Sequence, residues 1–211
     1  MSQPTITILL PCYNPPKGWS QQVVKSMNEI KSELQKEFSD IRLVIVNDGS
    51  QDGVHQHNQD EISQAHTVEF VNYEVNKGKG HALRQGAKII NTDYCIYTDI
   101  DFPYQEESVC KMARKLLEGN EVVLGHRGKD YYDKTPWFRK VVSKTLRWIL
   151  KTFLRLPTDD SQCGLKGYDQ KGLQLFLETK IDRFLFDLEF IKMAAKRKLK
   201  IVTSEAELKP N

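Results

Sequence analysis

The chain has 211 residues and a mass of 24.4 kDa, enough for one ordinary domain with a sizeable core. Its 39% hydrophobic and 28% charged residues exclude a disordered, collagen-like or low-complexity protein. The formal net charge of +3, from 31 basic and 28 acidic side chains, is too small for a dedicated nucleic-acid-binding protein.

The first 125 residues alternate short β-branched runs with amphipathic helical patterns. The predicted strands are Thr5–Leu10, Ile41–Asn47, Thr67–Asn72, Asp93–Thr98 and Glu121–Leu124. The predicted helices are Trp19–Phe38, Gly80–Ile90 and Glu106–Leu117. Residues 43–46 are apolar throughout, as expected for a parallel strand that is buried on both faces. The pattern predicts an α/β fold with a mostly parallel central sheet flanked by helices.

The composition changes after Gly125. Residues 126–155 contain nine lysines and arginines against two aspartates, so basic charge is concentrated there. Between Val142 and Leu156, apolar residues recur at steps of three and four, which predicts a basic amphipathic helix. The remaining predicted elements are a strand at Leu165–Tyr168, helices at Gln170–Leu177 and Phe186–Lys198, and a last strand at Lys200–Glu207.

The cysteine spacing and the apolar runs indicate the cellular compartment of the protein. The four cysteines form neither a CxxC pair nor a zinc-finger spacing, which favours reduced thiols in a cytosol. The N-terminus has a short apolar run and no basic leader. No segment reaches the roughly 18 apolar residues of a membrane helix. We therefore expect a cytoplasmic chain that is not transmembrane.

Polar residues follow three of the predicted strands. Ligands of open parallel sheets bind beyond the carboxyl ends of the strands. Asp99 and Asp101 end an extended segment two residues apart, so their carboxylates are expected to point the same way. Such oxygen ligands suit Mg²⁺ or Mn²⁺ held together with substrate phosphates. The alternative is that one aspartate caps the following helix and the other is solvated.

Asp48 also follows a predicted buried strand and precedes a Gly-Ser turn. Its carboxylate has two interpretations: it accepts hydrogen bonds from a nucleotide base or ribose, or it caps the next helix. Residues 76–86 form a glycine-rich loop that enters a helix, but this loop lacks the third glycine of a dinucleotide fingerprint and follows the third strand. The sequence also contains no P-loop motif.

Seven ordered segments of the chain resemble family 2 glycosyltransferases of the GT-A fold. These segments are PCYNPP, VNDGSQDG, NKGKGHALRQGAK, YTDIDFP, VVLGHR, DDSQCGLKGY and FLFDLEF. The last two are most similar to the polyprenyl-phosphate branch, the dolichyl-phosphate glucosyltransferase and mannosyltransferase type. The resemblance implies one catalytic domain over residues 1–211, with a nucleotide-sugar half at 1–125 and an acceptor half at 126–211.

The resemblance also implies an activity. A hexose would pass with inversion from a UDP-glucose or GDP-mannose type of nucleotide-diphosphate sugar to a polyprenyl phosphate. The cofactor would be Mg²⁺ or Mn²⁺. The protein would act peripherally at the cytosolic face of a membrane. Relatives continue beyond the position of Asn211 into further strands or membrane-binding helices, so we expect a longer native chain.

The family's site residues can be placed on this sequence through the same motifs. Asp99 and Asp101 would hold the metal, and the expected catalytic residues are Asp101, Arg127 and Asp187. The acceptor phosphate would meet Arg127, Arg139 and Ser143. The expected donor-binding residues are Pro11, Tyr13, Asn14, Asp48, Lys79, Asp99, Ile100, Asp101 and Gln162. One departure is Pro103, where some relatives place a polar side chain facing the metal.

The chemistry of the acceptor separates the remaining alternatives. A lipid monophosphate has a second pKa of about 6, so it is mostly dianionic at neutral pH and needs no general base. A sugar hydroxyl would need a carboxylate base, with Asp187 or Glu189 as the candidates. Transfer to a glycan hydroxyl and a non-catalytic nucleotide-sugar-binding module therefore stay open beside the phosphate acceptor.

Overall fold

The computed structural model describes residues 3–128, 160–183 and 185–210. Along the chain the elements are β1 (Thr5–Cys12), α1 (Trp19–Leu34), β2 (Asp40–Asp48), α2 (Gln56–Ala65), β3 (Val68–Tyr73), α3 (Lys79–Ala87), β4 (Tyr94–Tyr97), α4 (Glu106–Leu117), β5 (Val122–His126), β6 (Lys166–Asp169), α5 (Gln170–Leu177), α6 (Phe186–Lys196) and β7 (Ile201–Glu205).

The seven strands of the described part form one sheet in the order β3-β2-β1-β4-β6-β5-β7. Strands β1 to β4 are parallel to one another, β5 is parallel to β7, and β6 is antiparallel to both β4 and β5. The register pairs Cys12 with Asn47 and Asn47 with Asn72, so the carboxyl ends of β1, β2 and β3 meet at one edge. The predicted mostly parallel α/β sheet is confirmed.

Helices cover both faces of the sheet. Successive β1 residues alternate between two apolar clusters, as a period of two requires: Ile8 and Leu10 belong to one and Leu9 to the other. The first cluster contains buried residues of α1 and α4, and the second contains residues of α3, α5 and α6. The sheet is therefore the middle layer, and its strand ends are left open for a site.

Most predicted elements are present, with small differences at their ends. Helices α4 and α5 have the predicted bounds. Helix α2 was not predicted, because Ile62 is its one buried apolar side chain. Polar contacts define α2 instead: the Asn58 side chain accepts from His55 N at 3.1 Å and donates to Ser20 Oγ at 3.0 Å. The predicted basic helix between residues 142 and 156 lies outside the described residues.

All four cysteines are buried and free of disulfide bonds. Within residues 3–128, 160–183 and 185–210, no helix combines the length and the apolar character that a bilayer crossing requires.

A short segment after β7 returns to the turn that follows β4. This C-terminal strap, residues 206–209, is held by Gln105 N donating to Glu207 O at 2.8 Å and Lys209 N donating to Pro103 O at 2.9 Å. The Lys209 ammonium also pairs with Glu106 Oε1 at 2.5 Å. The strap therefore fixes the backbone that follows Asp101.

Candidate functional site

A cavity of about 470 Å³ opens at the carboxyl ends of β1, β2 and β4. Seven of the predicted site residues line it: Pro11, Tyr13, Asp48, Lys79, Asp99, Gln162 and Asp187. Residues not assigned from the sequence complete its wall: Cys12, Asn76, Gly78, Ala82, Arg183 and Phe186. The position agrees with the rule for open parallel sheets, because strand ends and helix N-termini meet there.

Asp48 organises one side of this cavity. Its carboxylate is 3% exposed and accepts from Lys77 N and Gly78 N, both at 2.8 Å, and from Asn76 Nδ2 at 2.9 Å. It therefore holds the loop that precedes α3. The interpretation that Asp48 caps the next helix is wrong, because the N-cap of α2 is His55. A base or ribose contact stays a prediction.

The N-terminus of α3 is closed by a distant segment. Gly80 N and His81 N donate to the main-chain oxygen of Asp182 at 2.8 and 3.3 Å. A Cβ at Gly80 would lie 2.6 Å from Ile181 O, so glycine is required for this approach. Arg84 completes the contact by pairing with the Asp182 carboxylate. The segment at residues 181–183 thereby brings Arg183 to the cavity. Sequence patterns could not predict this contact, because about a hundred residues separate its two sides.

Asp99 lies in the cavity wall, in a turn beyond β4. Strand β4 ends at Tyr97, and Phe102 N donates to Asp99 O at 3.0 Å. The expectation that the two aspartates end an extended segment is therefore wrong. The Asp99 carboxylate pairs with the Lys79 ammonium, and both side chains are partly exposed. A Cβ at Gly164 would lie 2.5 Å from Asp99 Oδ2, so this carboxylate packs directly on the glycine backbone.

Asp101 is exposed and is not among the cavity-lining residues of the described part. Partial desolvation and then the negative charge of Asp99 raise its pKa, while Lys79 and Lys209 oppose the rise. The two carboxylates are thus close enough to repel each other. A cation between them would remove that repulsion.

The fit to a metal can be judged from these donors. No group of three His, Cys, Asp or Glu side chains is arranged to hold an ion in the described residues. Two mutually repelling carboxylates, of which Asp99 lines the cavity, do suit Mg²⁺ or Mn²⁺, which take remaining ligands from water and phosphate. Asp99 and Asp101 are therefore a fitting partial site, and metal binding there stays a prediction.

Asp187 also lines the cavity, from the first turn of α6. Its Oδ1 accepts a hydrogen bond from the Tyr97 hydroxyl and pairs with the Lys166 ammonium at 2.9 Å. Lys166 is 0% exposed. Lys166 was not predicted as a site residue, because a lysine within a strand ordinarily indicates a solvent-facing position.

Three further predicted residues have other contacts. Asn14 joins two loops, since its N–H donates to Ser50 Oγ at 2.9 Å and its Oδ1 accepts from Gln51 N at 3.0 Å. Ile100 is 8% exposed and belongs to the apolar core. Neither lines the cavity, and donor binding by them stays a prediction. Glu189, a candidate base, accepts from the main-chain N–H groups of residues 180 and 181 at 2.9 and 2.8 Å.

Arg127 is held firmly at the end of β5. Its Nε and Nη2 donate to the two oxygens of Asp160 at 2.9 and 2.7 Å. Tyr104 lies near this pair: its hydroxyl accepts from Gly164 N at 3.0 Å, burial raises its pKa, and the charge of Arg127 opposes that rise. Arg139 and Ser143, the other predicted acceptor residues, lie outside the described residues.

Cys163, which precedes Gly164 in the chain, is 0% exposed. Burial raises the pKa of its thiol. A protonated, enclosed thiol is a packing group and not a nucleophile.

Comparisons with known proteins agree with this geometry. A dolichyl-phosphate beta-glucosyltransferase of Trichomonas vaginalis is 23% identical over 205 residues, 93% of this chain and 63% of the relative. One of Dictyostelium discoideum is 23% identical over 210 residues, 93% of this chain and 64% of the relative. The chain thus spans a little under two thirds of the length of these curated relatives.

Solved structures share the fold. Glucosyl-3-phosphoglycerate synthase from Mycobacterium tuberculosis, in complex with Mg²⁺ and uridine diphosphate, has a TM-score of 0.67 at 16% identity, over 99% of this chain and 72% of that chain. A mannosyltransferase from Pyrobaculum calidifontis, in complex with GDP-Man and Mn²⁺, has a TM-score of 0.65 at 15% identity, over 99% and 58%. The fold is that of the GT-A glycosyltransferases, as expected. Because residues 7–176 match the family described as Glycosyl transferase family 2, this chain belongs to that family.

Proposed function

We propose that the protein transfers a hexose, with inversion, from a nucleotide-diphosphate sugar to a polyprenyl phosphate at the cytosolic face of a membrane. The observation that carries the proposal is the placement of Asp48, Lys79 and Asp99 around one cavity at the strand ends. These side chains offer acceptors for a nucleoside, a cation for a diphosphate, and a carboxylate for a metal.

The donor would lie across this cavity. Its nucleoside would sit between the β1 end, at Pro11 and Tyr13, and the loop held by Asp48. Lys79, which now pairs with Asp99, is within reach of a diphosphate bound beside that carboxylate. A bound Mg²⁺ or Mn²⁺ held by Asp99 and Asp101 would neutralise charge on the departing diphosphate.

Two observations support a phosphate acceptor. Arg127 presents its guanidinium from a position fixed by the buried Asp160, and a guanidinium suits phosphate oxygens. The curated relatives, at 23% identity, are dolichyl-phosphate beta-glucosyltransferases. The locally basic stretch at 126–155 would also favour an anionic lipid surface.

A transfer assay tests the proposal directly. UDP-glucose and GDP-mannose are each combined with a short polyprenyl phosphate, with phosphoglycerate and with a glycan acceptor, with and without chelator. Chelator-sensitive transfer to polyprenyl phosphate alone is the expected result. Transfer to phosphoglycerate or to a glycan hydroxyl would contradict the acceptor, and binding of nucleotide sugar without any transfer would indicate a binding module.

The variant Arg127→Ala separates donor from acceptor. Acceptor use should fall by at least tenfold because a charge-assisted hydrogen bond is lost. Donor binding should persist, which also serves as the control for folding. Equal loss of donor and acceptor binding would contradict the proposed contact.

A further inference from the structure

A lysine without exposed surface lies directly behind the cavity wall. Lys166 is 0% exposed, and its ammonium contacts three oxygens: Cys163 O at 2.6 Å, the Tyr97 hydroxyl at 3.1 Å and Asp187 Oδ1 at 2.9 Å. The first two contacts are hydrogen bonds donated by the ammonium, and the third is its ion pair with the Asp187 carboxylate. The buried ammonium therefore has an opposite charge beside it.

Two of these groups converge on one oxygen of Asp187. Oδ1 receives both the Tyr97 hydroxyl and the Lys166 ammonium. The Tyr97 hydroxyl donates to this oxygen and accepts from the Lys166 ammonium at 3.1 Å, so the three groups form one connected network. Within the described residues, no hydrogen bond reaches Oδ2 of Asp187. Since Asp187 lines the cavity, a ligand there can supply the missing donor.

Packing alone does not require this arrangement. Replacing a buried ion pair by apolar side chains of similar volume is often neutral or stabilising. A buried lysine is useful where a neighbouring carboxylate must keep its charge in a water-poor wall. The first turn of α6 acts in the same direction, because the positive end of the helix dipole favours the Asp187 charge.

We propose that Lys166 is a positioning residue which, with Tyr97, fixes Oδ1 of Asp187, so that Oδ2 accepts a hydrogen bond from a hydroxyl of the donor sugar. The inference rests on the proposed function and deepens it, because it assigns the part of the cavity beside Asp187 to the hexose. Lys166 acts through Asp187 and does not itself reach the ligand.

Calorimetric binding tests the inference without requiring turnover. Titrations with Mn²⁺ and UDP, UDP-glucose, GDP or GDP-mannose measure what the sugar adds to the affinity of the nucleotide. Tyr97→Phe and Lys166→Met should each weaken nucleotide-sugar binding by about tenfold, the usual effect of losing a hydrogen bond to a charged group. Binding of the nucleoside diphosphate should stay within about twofold.

Tyr168→Phe is the matched control. The Tyr168 ring lies 6.1 Å from that of Tyr97, and its hydroxyl makes no hydrogen bond in the part of the chain that the structure describes. Removing it changes the same aromatic cluster and leaves the Lys166–Asp187 pair intact. Nucleotide-sugar affinity should therefore not change.

A double-mutant cycle with Asp187→Asn decides whether Lys166 acts through Asp187. In the Asp187→Asn background, Lys166→Met should cause no further loss of nucleotide-sugar affinity. If the fold-losses of the two single variants multiply in the double variant, Lys166 does not act through Asp187 and the inference is overturned. Equal weakening of UDP and UDP-glucose binding by Lys166→Met would also overturn it. Should Lys166→Met fail to fold, Tyr97→Phe still carries the test, because it removes a donor and no charge.

Wild-type results distinguish this inference from the proposed function. Binding of a nucleotide sugar without transfer to polyprenyl phosphate would contradict the acceptor only, and the positioning inference would still be decided by the variants. The opposite result is also possible: the wild type binds UDP or GDP at least as tightly as the corresponding nucleotide sugar, and every variant has wild-type affinity for both. This result would overturn the positioning inference alone.

Discussion

Two carboxylates of the cavity wall have lysine partners, and the two pairs differ in burial. In the Lys79–Asp99 pair the side chains are 34% and 39% exposed, whereas in the Lys166–Asp187 pair they are 0% and 9% exposed. Water screens the first pair, so its partners can be exchanged for a phosphate and a metal at little cost. The second pair has no water to replace a lost partner. The exposed pair is therefore suited to exchanging ions, and the buried pair to holding a fixed acceptor.

The largest expected effect concerns Asp101, which follows the exposed pair in the chain. Asp101→Asn should lower the rate of sugar transfer by about a hundredfold or more, because it would remove one of the two carboxylates proposed to hold the metal beside the departing diphosphate. Thermal stability should change little, since Asp101 is exposed. Transfer assays over a range of Mn²⁺ concentrations measure the effect. Near wild-type transfer at every concentration would show that Asp101 holds no metal.

Unfolding measurements compare the two lysines directly. Lys166→Met should lower the free energy of unfolding by about 3–5 kcal/mol, because it leaves a buried carboxylate unpaired. Lys79→Met should lower it by about 0–1 kcal/mol, the usual value for exposed pairs. Urea denaturation of both variants measures the difference. Equal losses would remove the distinction between the exposed and the buried pair.

Gly164→Ala disturbs the exposed pair without removing a charge. The added methyl group would lie 2.5 Å from Asp99 Oδ2 and 3.6 Å from Lys79 Nζ, so the carboxylate must shift. We expect about a tenfold loss of Mn²⁺-dependent donor binding, equivalent to one charge-assisted hydrogen bond. Binding titrations measure it. Unchanged affinity would mean that the position of Asp99 does not matter to the donor.

The smallest expected effect is on thermal stability and concerns Asp93, an exposed carboxylate outside the cavity. The backbone and hydroxyl of Thr5 donate to Asp93 Oδ2, both at 2.8 Å, and lower its pKa. A lowered pKa gives stability that is present above the unfolded value of about 3.9 and is lost as pH falls through the folded value. Asp93→Asn should therefore melt slightly below the wild type at pH 7.

The difference in melting temperature between Asp93→Asn and the wild type should shrink as the pH is lowered below about 4. Thermal melts from pH 3 to pH 7 check the sign. A difference that grows toward acid would contradict the contribution assigned to this carboxylate.

The sequence predicted the sheet and much of one cavity wall, for a physical reason. Buried parallel strands are continuously apolar, and strand ends in such sheets must meet, so Asp48 and Asp99 could be placed together from their positions alone. Helix α2 could not be predicted, because polar caps and not an apolar stripe define it. Lys166 was missed since its partners, Tyr97 and Asp187, are distant in sequence.

The backbone conformation of Asp99 and Asp101 was predicted wrongly from the local sequence pattern. Asp99 and Asp101 were expected to extend β4, but the chain turns after Tyr97. Phe102 has a φ of 46° and is 1% exposed, so tertiary burial overrides its local preference. Arg139, Ser143 and the basic helix belong to residues that the structure does not describe. Their roles stay predictions.

The C-terminal strap determines when, during synthesis, the turn that carries Asp101 can take its final position. The contact between Lys209 and Glu106 spans 103 residues, and it secures the turn that carries Asp101. A ribosome completes Asp101 long before Lys209, so the nascent chain has the carboxylates of the proposed metal site before it has the segment that holds them in place. Any affinity of these carboxylates for a divalent ion should accordingly be acquired late in synthesis, after the sheet itself has formed.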